Sequence, residues 1–238
     1  MSRFYLNVVA YVTVLAINYF ANALPFNGQT TGEIANRLPV LFNPSSYVFS
    51  IWGLIYFLIG LWVFSQLLPK RRNAPLYQKT SNLFVLSCLL NSFWIFVWHY
   101  EYFLLSVFVM IGLLVTLVFL YKEVKKEKIT QFDTVSFSIY LGWISVATIA
   151  NISYYLVSIG WTGLGLSHVA WTIILLFVAS GIAVQFLHSQ HDKLYLLVFT
   201  WAFVGIGVKN LDAEPFLSYV AFGLSICLVF SLFLLKKD

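Results

Sequence analysis

The chain has 238 residues, 61% of them hydrophobic and only 10% charged, with a mean hydropathy of +0.86. A soluble domain of this size does not carry so much apolar surface, so composition excludes a soluble enzyme and predicts an all-α integral membrane protein. The net charge of +5 sits in short connections rather than in a separate basic domain, which points to anionic lipid headgroups and excludes nucleic acid as the partner.

Eight apolar stretches are long enough to span a bilayer, at about 4–24, 46–68, 81–99, 102–121, 134–158, 166–187, 193–209 and 215–235. In the first, Tyr11, Asn18 and Asn22 share a helical face, as expected of a helix that packs. Ala21-Asn22-Ala23 resembles a signal-peptidase site, but the long apolar run and its interruption by Asn18 argue for a retained span. The following segment, 25–45, holds few charges. Its Ile34, Leu38, Val40, Leu41 and Phe42 call for burial, so it should be ordered as a lid over the bundle.

Asn43 or Ser45 can cap the second span, with Pro44 in its first turn, and Trp52 and Tyr56 then fall on one face. The third span places Ser87, Asn91, Trp94 and Trp98 on one face and is joined to the fourth by a tight turn at His99–Glu101. In the fifth, Tyr140, Trp143, Ala147 and Asn151 form one face. An asparagine in hydrocarbon is costly unless paired, so this face should look into the protein. Aromatic walls, one small residue and polar tips are the materials of a pocket for a flat ligand; interhelical packing, with Asn151 as glue, uses the same materials. Three helices together offer Trp52, Trp94 and Trp143 with Asn91 and Asn151, and that repetition favours the pocket.

In the last three spans, His168 near a helix start could ligate a haem iron or sit at the interface, and the latter is the commoner role. His188, His191 and Asp192 are expected in a solvated loop, as are the connectors 69–80 and 122–128 and the pair Asp212 and Glu214. Cys88 and Cys227 read as small buried hydrophobes without metal-site spacing, and the His188–Asp192 spacing could hold a metal on a helix end but has no third ligand placed by sequence. With eight spans, twelve of the 14 lysines and arginines fall on one side, leaving Arg37 and Lys209 on the other. The positive-inside rule then places both termini in the cytoplasm, and a plasma membrane is the expected location.

Three of these motifs carry a family resemblance. Trp52-Gly53-Leu54-Ile55-Tyr56 follows an entry containing Pro44; Leu90-Asn91 precedes Trp94; and Tyr140-Leu141-Gly142-Trp143 is followed by Ala147 and Asn151. In this order and spacing they resemble the TspO/MBR family, the tryptophan-rich sensory proteins related to the mitochondrial translocator protein. The resemblance covers roughly the first two-thirds of the chain. It implies a five-helix bundle over 1–158, beyond which this chain departs from the family by carrying three additional helices over 159–238 in the same membrane unit. It further implies a pocket for a porphyrin, haem or similar flat hydrophobic ligand, lined by Trp52, Asn91, Trp94, Trp143, Ala147 and Asn151. The chain departs from the family pattern where Leu41 or Phe42 replaces a tryptophan, Asn43 a proline, and Ser92 a frequent tryptophan.

The expected function is ligand binding for sensing or regulation, with the lipid bilayer, a hydrophobic small molecule and a second copy of the chain as partners. Export of small amphipathic molecules and porphyrin degradation are the alternatives. No nucleophile–base constellation or phosphate loop calls for an enzyme, and no carboxylate is placed mid-span for proton coupling. Trp143→Ala is then expected to weaken binding while leaving folding intact.

Overall fold

A computed structural model describes residues 2–234, which contain helices and turns but no strand. The helices are α1 (Ser2–Ala23), α2 (Thr31–Arg37), α3 (Ile51–Ser65), α4 (Pro75–His99), α5 (Phe103–Glu127), α6 (Phe132–Ser158), α7 (His168–Gln190), α8 (Lys193–Asn210) and α9 (Pro215–Leu234). Every predicted span holds one long helix, while α2 lies in the lid segment. Seven are long and apolar enough to cross a membrane, counting α3 with the 3₁₀ turn Ser46–Ser50 that leads into it. The exception is α8, an 18-residue helix with Lys193 at its start and Lys209 near its end. The chain is thus a multi-pass, all-α membrane protein.

Two connectors expected to be solvated are not. Helix α4 begins at Pro75, whose missing N–H suits a first helical position, and Leu76 and Tyr77 behind it are buried. Helix α5 continues to Glu127 and buries Val124. The charged run after 121 is thus the polar end of a helix that outruns its apolar window, whereas Lys70, Arg71 and Arg72 lie in turns before α4, with Arg71 buried.

Helices α1, α4, α5, α6 and α3 form a closed ring, each packed on the next, with α3 returning to α1. Helix α6 is the most enclosed of the spans, because α8 lies on its outer side. Helices α7 and α9 pack on α8 and on each other, whereas the consecutive α6 and α7 scarcely touch. One apolar core runs from Ala10 and Val14 to Ala221 and Leu228, so ring and C-terminal helices share their packing. The start of α1, the end of α9 and three connections, 66–74, 128–131 and 191–192, lie at one end, rich in Lys and Arg; the lid closes the other.

At the basic end, Asp133 is fully buried and paired with Arg71, itself 7% exposed. Its second oxygen accepts from the backbone N–H of Ile129 (3.0 Å) and Thr130 (2.8 Å), tying the α3–α4 connection to the start of α6. Asp192 is likewise no solvated loop residue. It accepts from Tyr121 Oη (2.6 Å) and Ser138 Oγ (2.7 Å) and caps α8 through the N–H of Leu194 and Tyr195. A carboxylate at a helix N-terminus meets both the free amides and the positive end of the dipole, which explains this position. His188 and His191 are exposed, and no metal-binding group occurs among the described residues. Cys88 is buried as expected; Cys227 is exposed on α9.

At the lid end, α8 holds the entry to α3. Gly205 O accepts from Ser45 N (3.1 Å), Trp201 Nε1 donates to Val48 O (3.2 Å), and Asn210 Nδ2 donates to Leu41 O (3.0 Å). Glycine is required at 205 by close approach, since a Cβ there would lie 2.2 Å from Val48 Cγ2 and 3.1 Å from Pro44 Cβ. Gly205→Ala is therefore expected to lower stability by about 1–3 kcal/mol, the usual cost of overpacking. Denaturation in detergent micelles measures this, and an unchanged midpoint would remove α8 as the brace of segment 41–48.

Candidate functional site

The lid begins with a capping box. Thr30 accepts from Glu33 N, and the Glu33 carboxylate accepts from Thr30 N, satisfying the first turn of α2. Ile34, Ala35 and Val40 then pack on Trp98 of α4 and Tyr154 of α6, a separate small core beneath the lid. Tyr154 Oη donates to Ile34 O (2.8 Å), Asn27 Nδ2 to His99 O (3.1 Å), and Asn43 Nδ2 to Ala35 O (2.8 Å). His99 is fully buried, with Nδ1 2.7 Å from Ile95 O and Nε2 3.4 Å from Thr31 Oγ1. The burial foreseen for Ile34, Val40 and Phe42 is complete or nearly so; Leu38 and Leu41 are half-buried.

A charged latch fastens the lid's edge. Arg37 donates to Glu101 (2.7 Å), which sits at φ 62° in the α4–α5 turn, and Gln29 joins the pair. The Arg37 hydrogen bond holds the Glu101 carboxyl below its ordinary value of 4.5. A carboxylate whose folded pKa is depressed contributes stability above its unfolded pKa and loses it as pH falls through the folded value. Glu33, depressed by the Thr30 backbone N–H, titrates in the same direction. Amide exchange in 27–38 should thus accelerate, beyond its intrinsic pH dependence, once pH falls below the ordinary carboxylate value. Glu101→Gln should show part of that loosening at neutral pH; identical exchange in wild type and variant at pH 7 would discard the latch.

Beneath the lid the ring is hollow. One lobe of about 420 Å³ reaches from Asn18 and Asn22 of α1 past Trp52 and Tyr56 to Trp94 and Trp143. A smaller lobe of about 60 Å³ lies against Trp98, Asn151 and Tyr154. Thr31, Phe49, Trp94, Met110, Trp143 and Ala147 border both, so the lobes are two parts of one hollow. A volume of several hundred Å³ falls in the range of small-molecule sites.

The residues singled out from the sequence divide into two groups. Trp52, Trp94, Trp143 and Ala147 line the hollow, as does Asn151 in its smaller lobe. Asn91 borders neither lobe. Its carbonyl accepts from Asn18 Nδ2 (2.9 Å) and its amide donates to Tyr140 Oη (3.0 Å), so it joins α1, α4 and α6 behind the wall. Asn151 is engaged too: Oδ1 accepts from Trp94 Nε1 (2.9 Å) and Nδ2 donates to Ser106 Oγ (2.9 Å). The asparagines thus bond helices together and fix the Trp94 ring, which also stacks on Trp98 at 5.2 Å.

Trp143 differs. It is 2% exposed, edge-on to Phe49 (5.7 Å) and Trp52 (6.3 Å), and its Nε1–H has no acceptor. A buried donor without a partner costs about 1–3 kcal/mol, which a ligand carrying an acceptor would recover. The site is thus an aromatic hollow whose wall carries two buried donors without partners, the Trp143 Nε1–H and the Tyr56 hydroxyl.

Tyr154, His99 and Asn18 were not assigned from the sequence. Tyr154 continues the face of Trp143, Ala147 and Asn151 by three residues, so its periodicity was a usable signal. Asn18 was legible as a polar residue within a span, but its partner was not. Nothing local marks His99 as buried, because the lid that covers it is distant in sequence. His168 borders neither lobe.

A family model described as TSPO-like protein matches residues 4–234 of the chain. The match runs through all of the long helices, beyond the two-thirds to which the sequence motifs extended. No curated protein and no solved structure matches the chain.

Proposed function

The chain belongs to the TSPO-like protein family, and from that premise we propose that it binds a flat, largely apolar ligand of the porphyrin class inside the ring, as a membrane sensor or regulator. The observation that carries this is the unpartnered Trp143 N–H on a wall shared by both lobes. A macrocycle offers faces to Trp52 and Trp94 and an acceptor, such as a carboxylate or carbonyl, to Trp143. Asn151 and Asn91 act through others: the first orients Trp94, the second holds Tyr140 behind the wall. The lid covers the hollow from one end, and the Arg37–Glu101 latch sets how readily it opens. In this reading the basic end faces the cytoplasm of a cell whose plasma membrane holds the protein.

Titration of the purified protein with protoporphyrin IX, read by tryptophan quenching, tests the proposal. Saturable quenching at one ligand per chain is expected, and its absence would remove the porphyrin class. Turnover of more than one equivalent would move the protein to the enzymes, and porphyrin flux across liposomes to the transporters.

A further inference from the structure

A second cavity, of about 190 Å³, lies outside the ring in the wedge where α6 and α7 diverge. Its walls are Ile152 and Leu156 of α6 and Leu175 of α7, and its inner end is the lid segment Leu41–Phe42. Three of the polar side chains on it are satisfied within the chain, and the other two, Trp161 and His168, stand at its rim. Ser153 Oγ donates to Ile149 O (2.9 Å), Thr172 Oγ1 to His168 O (2.8 Å), and Trp171 Nε1 to Gly163 O (2.7 Å). A space lined this way gives water too few partners to be held, so an apolar occupant suits it. Both flanking helices are membrane spans, which makes bilayer hydrocarbon the medium beside the wedge.

The rim has a different character. Helix α7 begins at His168, which is exposed and borders the cavity, so the positive end of a 23-residue helix stands at its mouth. Trp161 and Trp171, 5.2 Å apart, flank the same end, where a bilayer's interfacial belt places such rings. An apolar slot beneath a positive, aromatic rim is complementary to one amphiphile at hand in a membrane. We propose that this wedge binds one phospholipid, with an acyl chain between α6 and α7 and the phosphate at the N-terminus of α7 beside His168. The chain then backs the lid segment 41–42 from outside the ring, on the side away from the hollow.

The test is native mass spectrometry of the full chain released from micelles supplemented with dioleoyl phosphatidylglycerol, which needs no ligand in the inner hollow. Wild type should keep one lipid after the annular lipids are stripped. Ser153→Leu fills the slot and should lower that occupancy roughly tenfold. His168→Ala, at an exposed position that the fold tolerates, should lower it about threefold to fivefold by weakening the phosphate end. Unchanged retention in both variants, or no lipid retained by wild type, would overturn the proposal. Loss in Ser153→Leu alone would keep the acyl slot and overturn the phosphate assignment.

Discussion

Trp143→Phe is expected to weaken porphyrin binding by about tenfold to a hundredfold, the equivalent of losing one buried hydrogen bond and part of a ring contact. Its stability should stay level or rise, because the substitution removes a buried donor that has no acceptor in the free protein. That opposite movement is diagnostic, since a residue serving packing alone would lose stability and binding together. The alanine variant does not discriminate in this way. Trp143 is 2% exposed and packed on Phe49 and Trp52, so Trp143→Ala opens a void costing about 3–5 kcal/mol. Loss of folding along with binding is the outcome expected for alanine, contrary to the expectation from sequence. Quenching titration and thermal unfolding of the phenylalanine variant, run in parallel, decide the matter. Unchanged affinity in a folded Trp143→Phe protein would take Trp143 out of the site.

A stability effect as large as that of Trp143→Ala should come from Asp133, far from the hollow. Asp133→Ala leaves Arg71 buried without its counter-charge and two backbone N–H groups without an acceptor. Breaking a buried pair from one side costs about 3–5 kcal/mol. Arg71→Ala should cost a similar amount, and the double variant Arg71→Met with Asp133→Leu less than the two single losses together, because no uncompensated charge remains. Equilibrium unfolding in mixed micelles measures all three. A single variant within about 1 kcal/mol of wild type would show the pair to be a solvated contact. Porphyrin affinity of the folded fraction should not change, which separates this joint from the site.

Much of the architecture was legible without coordinates. Runs of about 20 apolar residues must be helices in hydrocarbon, since no other open structure satisfies the backbone there, so each predicted span holds a helix. Family membership was legible from three motifs whose spacing places Trp52, Trp94 and Trp143 on inward faces. What helical periodicity could not assign is the partner of each inward group. Asn91 and Asn151 looked like ligand anchors because an asparagine in a span must bond to something. Only the ring geometry shows that Asn18, Tyr140, Trp94 and Ser106 are that something.

The sequence by itself determined the helices, their alternation and which faces turn inward, because period and solvent act locally on every residue. The tertiary structure alone decided that α8 braces the entry to α3, that Asp133 is a buried joint and Asp192 a half-buried one, and that Trp143 keeps a free donor. Those outcomes depend on groups such as Gly205 and Val48, or Arg71 and Asp133, that are far apart in sequence and meet only when the ring closes. Side-chain partnership across helices is a property of packing, and no local pattern encodes it.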